Sequence, residues 1–238
     1  IDKGAALLQP HLDGFDIRTL LLAAPDDATA AAALTRTSLT QPALFLVSHA
    51  LANRWLALGV EPTGMIGHSI GEWVAACLAG VFPLDQALRL VALRGRLMEA
   101  QPTGAMLAVS LSETEVSQDL PAGLEIAALN SPHQTVLTGP ANQIDNHAAR
   151  LTQQGITAVP LRTAHAFHSA SMQPAADALE KELSQLTLFP PQRRWVSNVT
   201  GDWITPAEAT SPAYWARQLR ATVRFGDGIN TLFAEGPS

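Results

Sequence analysis

Along residues 41–58 the apolar positions Leu44, Val47, Leu51 and Leu58 recur at helical spacing, with Leu46, Ala50 and Trp55 filling in beside them. That pattern predicts a helix with one core-facing stripe, ended by Gly59. Pro62-Thr63-Gly64 then reads as a turn, Met65-Ile66 as a short buried strand, and residues 70–78 as an apolar helix. A further helix is expected over residues 85–99. Upstream, the alanine-rich stretch 23–33 contains Pro25-Asp26-Asp27 and reads as a loop leading into a helix.

The pattern changes after Gln101-Pro102-Thr103-Gly104. A strand-like run (105–109), a short acidic helix (113–118), two further strands (124–129 and 135–137), a helix (141–154) and a last strand (157–161) follow in the order βαββαβ. This is the ferredoxin-like arrangement of four antiparallel strands carrying two helices on one face. From residue 163 the chain returns to helices and proline-rich connections, as if re-entering the first unit. The expected organisation is a large subdomain from 1–102 and 163–238 with a small subdomain, 103–162, inserted into it.

Composition narrows the function class. With 238 residues, 47% hydrophobic and 15% charged, the chain can bury a large core. A net charge of −6 with scattered basic residues argues against a nucleic-acid surface, and the sequence has no apolar run of membrane-spanning length. Residues 1–4 are not followed by a signal-peptide core, so a cytoplasmic location is expected. The single cysteine, Cys77, fits a small buried apolar residue. No paired metal-ligand spacing occurs among the seven histidines, so no metal is expected.

The candidate chemistry lies where strand and helix meet, at Gly67-His68-Ser69-Ile70-Gly71. A serine hydroxyl is a poor nucleophile until a base reaches it and backbone amides hold the oxyanion, and a sharp strand-to-helix turn provides both. Ser69 is the candidate nucleophile and the Ile70 N–H the candidate oxyanion donor. The plainer alternative is a glycine-flanked serine that only caps a helix. A base is offered by His165 or His168, which bracket Ala166-Phe167 just after the small subdomain. His68 is expected to line the pocket, whereas His11, His49, His133 and His147 read as structural.

These residues together resemble the acyltransferase domain of modular type I polyketide synthases, a relative of the malonyl-CoA:acyl carrier protein transacylases. The likeness is carried by Gly67-His68-Ser69-Ile70-Gly71-Glu72, by Arg94 within Leu93-Arg94-Gly95-Arg96, and by His165-Ala166-Phe167-His168. Thr40-Gln41-Pro42, Asn130-Ser131-Pro132, residues 197–201 and Tyr214-Trp215 extend it over essentially the whole chain. The resemblance implies an α/β fold, with a hydrolase-like large subdomain built on a short parallel sheet flanked by helices.

It also implies a Ser69–His168 dyad that moves an extender acyl group from coenzyme A to the phosphopantetheine thiol of an acyl carrier protein by a ping-pong route. Arg94 would grip a malonyl carboxylate with two parallel hydrogen bonds, with Gln41 and Asn130 as weaker pocket candidates and a backbone carbonyl near Asn198 orienting the histidine. Phe167 and Ile70 match the malonyl-selective subgroup, in which the phenylalanine occupies the space a C2 methyl would need. Coenzyme A would be a substrate rather than a cofactor. Implied partners are malonyl-CoA, a carrier protein and flanking synthase domains such as a ketosynthase, with neither nucleic acid nor membrane.

The family's opening F-P-G-Q-G segment is absent, and its closing Val-Gly-Pro-rich strand would follow Ser238, so both ends of the large subdomain are expected to lie outside these residues. A serine hydrolase or thioesterase would share the elbow. It would normally follow the order Ser, acid, His with a His-Gly-Gly oxyanion motif, neither of which is assignable here. A non-catalytic scaffold module is the remaining alternative.

Overall fold

Two small sheets of opposite kind organise residues 1–234, the part of the chain that the computed structural model describes. Helices α1 (Asp2–Leu8), α2 (Arg18–Leu21), α3 (Ala28–Ala33) and α4 (Thr37–Ala57) lead to β1 (Met65–Ile66), α5 (Ile70–Leu78) and α6 (Leu84–Glu99). The inserted unit is β2 (Ala105–Val109), α7 (Glu113–Gln118), β3 (Glu125–Ser131), β4 (Gln134–Gly139), α8 (Ala141–Gln153) and β5 (Ala158–Pro160). Then come α9 (Gln173–Leu183), β6 (Trp195–Val196), α10 (Pro206–Ala209), α11 (Pro212–Arg220) and α12 (Phe225–Ala234).

The first sheet is parallel, β1 on β6 with Met65 opposite Trp195 and Ile66 opposite Val196. Parallel neighbours need a crossover, and here it contains α5, α6, the whole inserted unit and α9. The second sheet has the order β3-β4-β2-β5 with every pair antiparallel. Numbered within the unit, that order is 2-3-1-4, the ferredoxin-like topology. Leu107, Val109, Leu137, Ile144 and Leu151 fill the space between this sheet and its helices. Its other face, through Ala127, Ala128 and Val136, packs on Val223 of the large subdomain.

Behind β1 and β6 the core is aromatic. Trp73, Phe82 and Trp215 cluster with ring centres 4.7–5.3 Å apart, Trp73 stacked on Phe82 and Trp215 tilted or edge-on to both, and Tyr214 meets Trp215 edge-on. Such pairs add to the burial of large apolar area and fix ring orientation. They hold α5 and α11 rigidly together directly beneath the elbow.

One helix departs from expectation. α4 begins at Thr37 rather than 41, and it buries its N-terminal half through Gln41, Pro42, Phe45 and Leu46. The stripe of Leu44, Leu51, Trp55 and Leu58 is half or more exposed instead of core-facing. The reason is where α6 touches: Gly95 lets the helices close until a Cβ there would lie 2.9 Å from the Thr37 carbonyl oxygen. That fixes contact at the start of α4, and its far end runs past the core. There Ala52, Trp55 and Leu56 wall an open apolar cavity of about 550 Å³ against β1 and α5.

Candidate active site

The elbow is strained by construction. Ser69 sits at φ 51°, a left-handed conformation that side-chain-bearing residues rarely adopt, between β1 and the first turn of α5. Gly67 makes the turn possible: a Cβ there would stand 2.1 Å from the Gly71 carbonyl carbon. Gly71, by contrast, faces open space, so of the two flanking glycines only Gly67 is needed for close approach. The Ile70 N–H opens α5, where a helix leaves its first amides without internal acceptors.

His168 reaches Ser69 from the loop that follows the inserted unit. Its Nε2 lies 2.9 Å from Ser69 Oγ, and its Nδ1 lies 2.9 Å from the Ala221 carbonyl oxygen. An Nδ1–H donating to that carbonyl leaves the Nε2 lone pair facing the hydroxyl. Burial first, and then Arg94 and His68, push the imidazole down to about 3, so it is neutral near pH 7.

Arg94 is buried on the inner face of α6 beside the serine. Its Nη1 donates to Gln41 Oε1, and its Nη2 donates to Ser69 Oγ at 3.3 Å. Its Nε is buried without a partner. Nε and Nη2 form one edge of the guanidinium plane, an edge that meets the Ser69 hydroxyl through Nη2 and has one donor, Nε, unsatisfied. Burial lowers Arg94 to about 9, opposed by the negative charge of Glu72. A cavity of about 330 Å³ joins Ser69, His168, Arg94 and Gln41 with Ile70 and Phe167.

A profile described as acyl transferase domain matches residues 3–238. This chain belongs to that family. It is 42% identical over 201 residues to a phenolphthiocerol/phthiocerol polyketide synthase of Mycobacterium tuberculosis, covering 84% of the chain and 14% of that protein. It is 38% identical over 242 residues to the spectinabilin polyketide synthase system protein NorB of Streptomyces orinoci, covering 99% and 11%. The chain therefore spans a small part of the curated relatives it matches. Among solved structures, the acyl transferase domain of SpnD in complex with 2-(pent-4-yn-1-yl)malonyl is similar at 40% identity and TM-score 0.87, over 98% of the chain and 55% of that one. The malonyl CoA-acyl carrier protein transacylase of Burkholderia pseudomallei is similar at 31% identity and TM-score 0.88, over 99% and 80%.

Within this acyl transferase domain the expected site residues divide. Ser69, His168, Arg94, Gln41, His68, Phe167 and Ile70 converge on one cavity. His165 turns away: its Nε2 contacts the Glu99 carbonyl at 3.0 Å, and its ring stacks on Phe167 at 5.8 Å. Asn130 also stays outside, its Oδ1 2.9 Å from His68 Nε2 across the subdomain boundary. Asn198 requires a correction. The carbonyl on His168 belongs to Ala221, because the strand-like segment leaving α11 passes under the imidazole, while Asn198 faces the elbow. Asn198 Oδ1 accepts the Ser69 N–H and its Nδ2 donates to the Gly67 carbonyl, both at 2.6 Å.

Three groups in this neighbourhood have no role in the sequence reading, where Glu72 enters only as the last residue of the elbow motif. Gln218 donates to the Ser69 carbonyl at 2.8 Å, Glu72 is fully buried beneath the elbow, and the exposed Arg162 stands at the cavity wall. Only Glu72 left a signal, as a charge in the first turn of an otherwise apolar helix.

Proposed function

We propose that this acyl transferase domain moves a malonyl group from malonyl-CoA, through an ester on Ser69, to the phosphopantetheine thiol of an acyl carrier protein within a polyketide synthase. The observation that carries the reading is the buried Arg94 guanidinium beside the Ser69–His168 pair, with Nη2 on Ser69 Oγ and Nε left without a partner. A buried guanidinium with an unsatisfied donor calls for a planar anion, and the free carboxylate of a malonyl thioester is one held at a fixed distance from an electrophilic carbonyl. A plain esterase substrate offers nothing to this guanidinium.

The chemistry follows from the geometry. Ser69 Oγ attacks the thioester carbonyl as His168 Nε2 takes its proton, and the Ile70 N–H stabilises the oxyanion. Collapse expels the coenzyme A thiolate, which takes the proton back from His168. The carrier thiol then gives its proton to His168, attacks the ester carbonyl and displaces Ser69, which is reprotonated. Ala221 holds the imidazole orientation throughout, in the place that a carboxylate occupies in a triad. Phe167 on the cavity wall supports selection against a C2-branched extender.

Intact-protein mass spectrometry with malonyl-CoA and a carrier protein tests the reading. Ser69→Ala should abolish the covalent malonyl adduct, and His168→Ala should slow its formation by orders of magnitude. Loading of the Ser69→Ala protein at the wild-type rate, or release of malonate to water with no carrier product, overturns the proposal.

A further inference from the structure

Beneath the nucleophile lies a polar network that the dyad does not use. Glu72 Oε1 accepts from Trp195 Nε1 at 3.1 Å and from the Tyr214 hydroxyl, and Glu72 Oε2 accepts from the Asn198 backbone N–H at 3.1 Å. Every contact is a donor aimed at a carboxylate. Burial pushes the carboxyl up to about 7 against these donors, and a group so buried is expensive unless it is fully hydrogen-bonded. The side chain of the residue it holds, Asn198, is the one that clamps Ser69 N–H and Gly67 carbonyl.

We infer that Glu72 is a positioning residue, which fixes the strained turn at Ser69 by holding the Asn198 backbone so that the Asn198 amide can bridge both sides of the elbow. The inference rests on Ser69 being the nucleophile. Ser69 at positive φ relaxes unless its surroundings over-determine it. The bridge supplies that constraint: one amide plane ties the residue before the turn to the serine N–H, and its own backbone is pinned by a buried carboxyl oxygen, Glu72 Oε2. Glutamine at position 72 breaks the chain of contacts selectively. Its oxygen can keep Trp195 and Tyr214, but its NH₂ then faces the Asn198 N–H, donor against donor. Asn198 is released while the remaining pocket is filled by a side chain of nearly equal volume.

The test compares Glu72→Gln, Asn198→Ala and the double variant by two measurements. One is the rate at which a fluorophosphonate probe labels Ser69, which needs no malonyl-CoA, and the other is kcat and KM for malonyl loading. Each single variant should lower labelling and kcat roughly ten- to hundredfold, the loss of one well-made bond to a charged group. KM should rise less than kcat falls, since the Arg94 hydrogen bonds are kept although Glu72→Gln removes a charge that supports its guanidinium, and the double variant should be no slower than the slower single one. Losses that multiply, or a Glu72→Gln protein labelled at the wild-type rate, overturn the inference while leaving the acyl-transfer reading intact. Should Glu72→Gln fail to fold, Glu72→Asp keeps the charge but loses reach toward Asn198, and wild-type labelling of that variant overturns it equally. A wild-type protein whose Ser69 the probe never labels overturns the nucleophile assignment and the positioning role together.

Discussion

Arg94→Ala separates substrate recognition from nucleophile chemistry in one substitution. Nε, which lacks a partner, and Nη2, by exchanging its 3.3 Å bond to Ser69 Oγ, can give a malonyl carboxylate two charge-assisted hydrogen bonds without disturbing the Nη1 bond to Gln41. Such bonds contribute about 1.5–3 kcal/mol each, and part is lost in drying the carboxylate, so about 3 kcal/mol should vanish from transition-state binding. That is roughly 150-fold in kcat/KM for malonyl-CoA. Acetyl-CoA has no carboxylate, and its kcat/KM should change less than about threefold or improve as a buried cation with an unsatisfied Nε is removed. The pH profile carries a second signature. Arg94 follows burial among the influences that depress His168. Removing the cation raises the imidazole pKa, and a base works only when deprotonated, so loading should begin to fail at a higher pH on acidification than in the wild type. Steady-state rates for both thioesters across pH decide the matter. Equal losses for malonyl and acetyl, or an acid limb that stays put or moves down, would refute the reasoning.

Other perturbations follow from the same geometry. Phe167→Ser should narrow a malonyl preference over methylmalonyl of roughly ten- to two-hundredfold, measured as the ratio of kcat/KM values; a wild-type ratio near one contradicts the role of the ring. Gly67→Ala should abolish loading and lower the melting temperature, because its Cβ would lie 2.1 Å from the Gly71 carbonyl carbon; a normal melt with full activity would mean the turn can open. Gln41→Ala should raise KM for malonyl-CoA with little change in kcat for acetyl-CoA, since it anchors the far side of the Arg94 fork. Identical effects on the two substrates would assign Gln41 to folding alone.

What the sequence disclosed was mostly local. The elbow and the alternating runs of the inserted unit are written in neighbouring residues, and β2 and α7 fall within the expected bounds. What it concealed depends on long-range meetings. Ala221 contributes only a carbonyl to His168, 53 positions away, and a backbone oxygen has no signature in side-chain chemistry. Gln218 and Tyr214 reach the elbow from more than 140 positions away. In α4 the periodicity marked a stripe that the structure leaves exposed, because apolar residues lie on every side of this helix and spacing alone does not say which of them are packed. The contact with α6 at Gly95 selected a different set of residues for burial.

The place where the inserted unit departs and returns bears on how such domains could be exchanged. Thr103 pairs with His165, and Gly104 N–H donates to the Ala164 carbonyl at 3.0 Å, so the unit leaves and rejoins the large subdomain through a two-stranded stalk. A cassette replaced between those points starts and finishes at the same spot, and the span from Ser69 to His168 need not stretch to receive it. The stalk is not the whole attachment. Leu129 N–H donates to the Val223 carbonyl, Val223 N–H donates to the Ala127 carbonyl, and Asn130 holds His68. A graft that matched the stalk but lacked an edge strand to meet Val223 would hang from its hinge, with His168 at the pivot.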